Sequence, residues 1–171
     1  MERLVQIILL GDTEDRRLGR AMRRCLLPGW KQTYRERQLE VYRRGGTALL
    51  LRETSCIQRL QDVRAVIAVK QGAGNLLPTD MRACCTILPH AEPLPPGRRH
   101  TQLLTCGMSL RDSLTISAQN SEQATVSLLR PVTGVFGHLI EPQDILLPTA
   151  AVLDSYSLLT AGAVRLLLGL T

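Results

Sequence analysis

Aromatic side chains are scarce: one Phe, one Trp and three Tyr make up 3% of the 171 residues. Any core must therefore be built from Leu, Val, Ile and Ala, and a stacking platform for single-stranded nucleic acid is not expected. Cysteine is present but unpaired in pattern. The five, Cys25, Cys56, Cys84, Cys85 and Cys106, are odd in number and contain no CxxC spacing. The histidines, His90, His100 and His138, do not stand at ligand spacing to any of them. No metal site is expected, and the thiols read as reduced core residues of a cytoplasmic protein. Long apolar runs are also missing. Residues 4–10 are too short for a secretory h-region, and the run at 158–170 is interrupted by Arg165; neither reads as a leader or a membrane span.

What is present is an ordinary globular balance, 44% hydrophobic and 21% charged, with a net charge of +6. A single domain over residues 1–171 is expected, long enough to bury roughly two thirds of its unfolded surface. The basic excess is mostly Arg, gathered at 16–24, at 35–44 and at Arg98 and Arg99. Such a surface admits an anionic partner, but no recognition motif accompanies it, so nucleic acid is not the expected partner.

The chain is organised around residues 5–27, VQIILLGDTEDRRLGRAMRRCLL. Residues 5–10 form a continuous apolar run of strand length. Gly11, Asp12 and Thr13 break it, and from Glu14 the apolar positions Leu18, Met22, Cys25 and Leu26 fall at helical spacing. Strand, glycine turn and helix is the opening of nucleotide-binding α/β domains. Acidic residues at 12, 14 and 15 would suit a first helical turn through the helix dipole.

After Pro28 and Gly29, residues 30–44 alternate more than they cycle and read as an extended sheet edge. Buried strands follow at 47–51, 63–69, 83–88 and 102–106, the first two separated by a short irregular or helical link. Residues 114–128 alternate apolar and polar positions about a polar turn, as a hairpin with one solvated face does. A further extended pair is expected at 132–136 and 139–147. Residues 152–168 have helical periodicity, with Asp154 or Thr149 as cap. Unbroken apolar strands imply a sheet covered on both faces. The expected fold is therefore α/β: a Rossmann-like three-layer domain, mainly parallel, with an antiparallel hairpin appendage and a closing C-terminal helix.

This order of elements resembles the central, ATP-binding domain of the Mur ligases, which join amino acids to cell-wall precursors. The matches are IILLGDTEDRRLG at 7–19 to a strand and phosphate loop of type GTNGKTT, and LLLRETSC at 49–56 to a strand ending Glu-Val-Ser-Ser. AVIAVKQ at 65–71, ACCTILP at 83–89 and LLTCGMS at 103–109 are similar to the strands that follow. DSYSLLTAGAVRLLLGL at 154–170 resembles the family's NVYNALAAIAVALALGI helix. The resemblance implies a bacterial cytoplasmic protein and assigns Glu53 to the position of a metal-holding carboxylate. It also marks what has gone. A phosphate loop needs glycines, a Lys and a hydroxyl; the turn here keeps Gly11 and Gly19 and places Asp12, Glu14 and Asp15 where phosphate would sit. The family's histidine after the third strand has no counterpart in KQGAGNLLP. Its helix asparagines are replaced by Asp154 and Ser157, and both flanking ligase domains are missing from this stretch.

The sequence thus points to a non-catalytic binding or regulatory module with the phosphate loop lost, no catalytic residue and no cofactor. Its partner would be another protein or a second copy of itself. The ligand face is expected at the strand-end loops around Gly11, Glu53, Gly72 and Gly107, with Gly11, Asp12, Thr13, Glu53, Cys106, Gly107 and Ser109 as candidate binding residues. Two alternatives remain open: a divergent nucleotide- or small-molecule-binding enzyme using those loops, with Cys106 served by His90, His100 or His138, and a basic nucleic-acid-binding module.

Overall fold

A computed structural model of the chain describes residues 1–94, 102–148 and 153–170. The apolar run at the N-terminus forms β1 (Arg3–Leu10), followed by a short helix α1 (Arg17–Ala21) that widens into a π turn over Met22–Leu26. The hairpin β2 (Lys31–Arg35) and β3 (Leu39–Arg44) leads into β4 (Thr47–Thr54), β5 (Leu60–Val69) and β6 (Met81–Pro89). Then come β7 (Gln102–Cys106), β8 (Leu114–Gln119), β9 (Gln123–Leu128), β10 (Val132–Thr133), β11 (Leu139–Ile140) and β12 (Gln143–Pro148). Helix α2 (Ser155–Leu167) closes the described chain.

Ten strands form one mixed, mostly parallel sheet in the order β12-β9-β8-β7-β6-β5-β1-β4-β3-β2. Its centre, β7 through β4, is parallel throughout. The antiparallel hairpin of β8 and β9 is continuous with this sheet, joined to it by one parallel pair, Cys106 with Leu114. The β2–β3 hairpin extends the opposite edge, as the alternating pattern of residues 30–44 predicts.

Alternation along β1 explains why its whole run is apolar. Ile7 and Leu9 belong to one core with the two helices, whereas Ile8 and Leu10 belong to a second core on the other face. Each of these four side chains is fully buried, contributing roughly 1.5–3 kcal/mol. The first core takes in α1, the π turn and α2. The second is closed by Ile57, Leu60, Ala73 and Leu77, from the link before β5 and the segment around a 3-10 turn at Gly74–Leu76.

Two expectations are corrected. The first helix begins at Arg17, not Glu14, and carries no acidic residue in its first turn. Asp12 Oδ1 accepts from Glu14 N and Asp15 Oδ1 from Arg17 N, so local side-chain bonds hold residues 12–15 as turns and delay the helix. The extended segment 139–147 also splits: β11 makes a small ribbon with β10, while β12 pairs with β9. At α2, Asp154 is the cap, accepting from Ser157 N at 3.1 Å. Thr149, Arg98, Arg99 and His100 lie outside the described residues. Among the described residues no helix is long and apolar enough to cross a membrane.

Candidate functional site

Parallel pairing brings the predicted loops to one end of the sheet, in two separate groups. The first forms where β1, β4 and β5 end together. Leu9 pairs with Glu53 and Leu10 with Thr54, so Glu53 stands beside the Gly11 turn although the two are far apart in the chain. On the other side Leu10 pairs with Val69, which delivers Lys70 to the same place.

Lys70 is the residue the sequence reading missed. Its side chain is buried at 3% exposure, runs under Gly11, and donates from Nζ to Asp12 O at 2.5 Å and Asp15 O at 2.8 Å. Gly11 has φ +145, and a Cβ there would lie 2.8 Å from Lys70 Cβ, so glycine is required by the stem of this lysine. Three of the turn's N–H groups are directed elsewhere: Gly11 N to Thr54 O, Asp15 N to Asp12 O, and Glu14 N to the Asp12 side chain. The turn after β1 therefore directs carbonyl oxygens at an internal ammonium. Thr13 is half-buried and makes no side-chain hydrogen bond among the described contacts.

Glu53, 5% exposed, sits between two cations. Arg16 Nη1 donates to its Oε2 at 2.8 Å, while Lys70 Nζ is 3.8 Å from Oε1, in ion-pair reach but beyond a hydrogen bond. Glu53 Oε1 is consequently buried without a hydrogen-bond partner among the described residues. Burial raises the Glu53 carboxyl above its ordinary range against the pull of Lys70 and Arg16, and burial lowers Lys70. Burial pushes both partners towards neutrality, and their mutual attraction opposes it. At the rim, Asp15 is bonded by Arg17, which draws its carboxyl down to about 2.

The second group lies where β6 and β7 end, two and three strand positions from β1, roughly 10 and 14 Å at ordinary strand spacing. Here His90 Nδ1 meets both oxygens of Asp112, at 2.9 and 3.0 Å. Asp112 is buried, also accepts from Ser109 N at 3.0 Å, and holds a histidine whose side chain is 55% exposed. Gly107 permits this approach: a Cβ there would lie 2.5 Å from Asp112 Oδ2 and 2.7 Å from His90 Cβ. Ser109 Oγ accepts from Arg111 N, closing the turn.

Of the seven predicted residues, Gly11, Asp12, Thr13 and Glu53 are brought together, and Gly107 and Ser109 form the second group. Cys106 joins neither by its side chain. It is buried in the core that includes α2, and burial pushes its thiol far above the ordinary range, which is unlike an activated nucleophile. The signal for Lys70 was its position as the first polar residue after the apolar run 65–69. The signal for Asp112 was the polar density after Gly107.

Among the described residues, no group of three or more His, Cys, Asp or Glu side chains is arranged to hold a metal. Comparisons with family models, with curated proteins and with solved structures find no match to this chain.

Proposed function

We propose that the protein is a non-catalytic binding module, a degenerate relative of the Mur ligase central domain. In this reading it is a Rossmann-like three-layer domain whose third layer is reduced to loops and one 3-10 turn. One observation carries the functional part: Lys70 Nζ is donated to the carbonyls of Asp12 and Asp15. A phosphate-binding turn does the reverse, directing N–H groups outward at an anion. Here the internal cation occupies the turn and is met by its backbone carbonyls, while the acidic side chains are held elsewhere: Asp12 by Glu14 N, Glu14 by Arg37 and Asp15 by Arg17. The position of Glu53 beside Gly11 supports the family relationship, since the resemblance requires that adjacency and nothing local imposes it. Without phosphate chemistry, the strand-end face around Gly11, Glu53, Gly72 and Gly107 is left to contact a protein partner or a second copy, in a bacterial cytoplasm.

Calorimetric titration with ATP and Mg²⁺ tests this. The expected outcome is no Mg²⁺-dependent saturable binding. Binding that requires Mg²⁺, disappears in Glu53→Ala and survives in Arg20→Ala would overturn the reading.

A second reading has its own observation. An exposed imidazole oriented by a buried carboxylate is the arrangement of a general base. It favours a small-molecule enzyme centred on His90 and Asp112 instead of Cys106.

A further inference from the structure

Helix α1 and its π turn carry Arg16, Arg20 and Arg23 at spacings of four and three, which places them along one helical face. The tip of the β2–β3 hairpin brings Arg35 and Arg37 opposite that face. The five arginines surround an open hollow of about 610 Å³, with Glu40 on its floor. That volume is within the range of ligand sites, roughly 300–1,000 Å³. Its wall carries no aromatic or apolar side chain. Only Glu36 and Glu40 among the lining residues oppose the five guanidinium groups.

The wall is held from behind. Buried Glu40 accepts two bonds from Arg23 Nε, at 3.2 and 3.3 Å, and one from Arg23 Nη2 at 2.8 Å; it also accepts from Tyr42 Oη at 2.6 Å. Burial raises the Glu40 carboxyl, but these bonds outweigh it and hold the group below its ordinary range. Arg16 is fixed by Glu53 Oε2 and by Arg37 O, and Arg37 reaches Glu14 at 2.6 Å. Two arginines are left over. Arg20 has no side-chain partner among the described contacts, and Arg35, 69% exposed, is in ion-pair reach of Glu40 at 3.8 Å but makes no side-chain hydrogen bond to it. Like charges facing one another across a hollow repel, so an arrangement of three clamped and two unclamped guanidinium groups suits a multiply charged anion between them.

We propose that this hollow binds a chain of closely spaced phosphates and recognises the phosphates alone. Guanidinium groups bind phosphate oxygens in bidentate fashion, and separate arginines on the helix and the hairpin can each take a different phosphate. With no aromatic or apolar wall, a nucleobase attached to the chain adds nothing. The site is distinct from the turn after β1 and does not depend on the family resemblance.

Titration calorimetry at low salt, without divalent cations, uses orthophosphate, pyrophosphate, tripolyphosphate, ATP and a short single-stranded RNA as probes. Affinity is expected to rise from orthophosphate to tripolyphosphate, with ATP equal to tripolyphosphate. Arg20→Ala/Arg35→Ala removes only the unclamped groups, which are exposed, so the fold is retained; tripolyphosphate binding should weaken by about tenfold or more. Arg64→Ala/Arg82→Ala makes the same change in net charge at exposed positions elsewhere on the sheet, and should alter binding by less than about twofold. Absence of saturable tripolyphosphate binding overturns the proposal. So does equal weakening by both double variants, which would show attraction to net charge only. ATP binding much tighter than tripolyphosphate places the ligand at a base-reading site, and RNA binding without tripolyphosphate binding assigns the surface to nucleic acid; either result overturns it.

Discussion

The two groups at the strand ends handle charge in opposite ways. Where β1, β4 and β5 end, Glu53 and Lys70 come from segments far apart in the chain and are buried together, at 5% and 3% exposure. Where β6 and β7 end, the acid is buried but the histidine it holds remains largely in solvent. Burial of an ammonium is tolerable only when its donors are satisfied, and backbone carbonyls of the Asp12–Asp15 turn do this for Lys70. The first group is therefore closed on itself and acts on stability. The second keeps one titratable ring free for contact with something outside the chain.

The sharpest way to break this comparison is Lys70→Met. It keeps the stem under Gly11 but removes the cation, stranding two carbonyls and leaving buried Glu53 with Arg16 alone, at a cost of about 3–5 kcal/mol. Urea unfolding measures the loss, and Lys70→Met/Glu53→Gln should be more stable than Lys70→Met alone because a buried charge compensated by Arg16 alone is gone. A loss below about 1 kcal/mol would mean that charge does not hold this end closed.

Gly107→Ala probes the other group. The new methyl would collide with Asp112 Oδ2 and His90 Cβ, with an expected loss of about 1–3 kcal/mol. The His90 ring resonances should move as its bond to Asp112 is displaced, and unchanged resonances would contradict the described geometry.

The smallest effect is at the rim. Bonding to Arg17 lowers Asp15 from its usual 3.8 to about 2 in the folded chain. A depressed carboxyl contributes stability above its unfolded pKa, and that contribution is lost as pH falls from about 4 towards 2. Asp15→Asn should flatten the acid limb of the stability profile by less than about 1 kcal/mol, because Arg17 is half exposed and solvent screens the pair.

Some of this was legible in the residues. QLLTC at 102–106 became β7 with the expected bounds, since an apolar run between a proline-rich loop and a glycine has few alternatives. Asp154 was recognisable with Thr149 as one of two possible caps, because capping needs only a short acceptor before an apolar periodic segment. The start of α1 was misplaced by three residues. Asp12 and Asp15 can serve a first helical turn or bond their own neighbours, and local composition does not separate those outcomes. Lys70 was marked only by its place as the first polar residue after the apolar run 65–69, and its partners were not legible. Its role follows from β5 pairing with β1, and nothing within KQGAGNLLP signals that neighbour.

By itself, the sequence determined the alternation of elements, the two-sided burial of β1 and the absence of a Lys-Ser/Thr pair from the glycine turn. Those properties depend on residue type, period and spacing, which a linear chain displays in full. Only the tertiary structure decided which cation and which carboxylate meet at that turn, that its carbonyls point inward, and that five arginines from a helix and a hairpin share one hollow. Each of those depends on strand order and register, and a parallel sheet sets both through contacts between residues tens of positions apart.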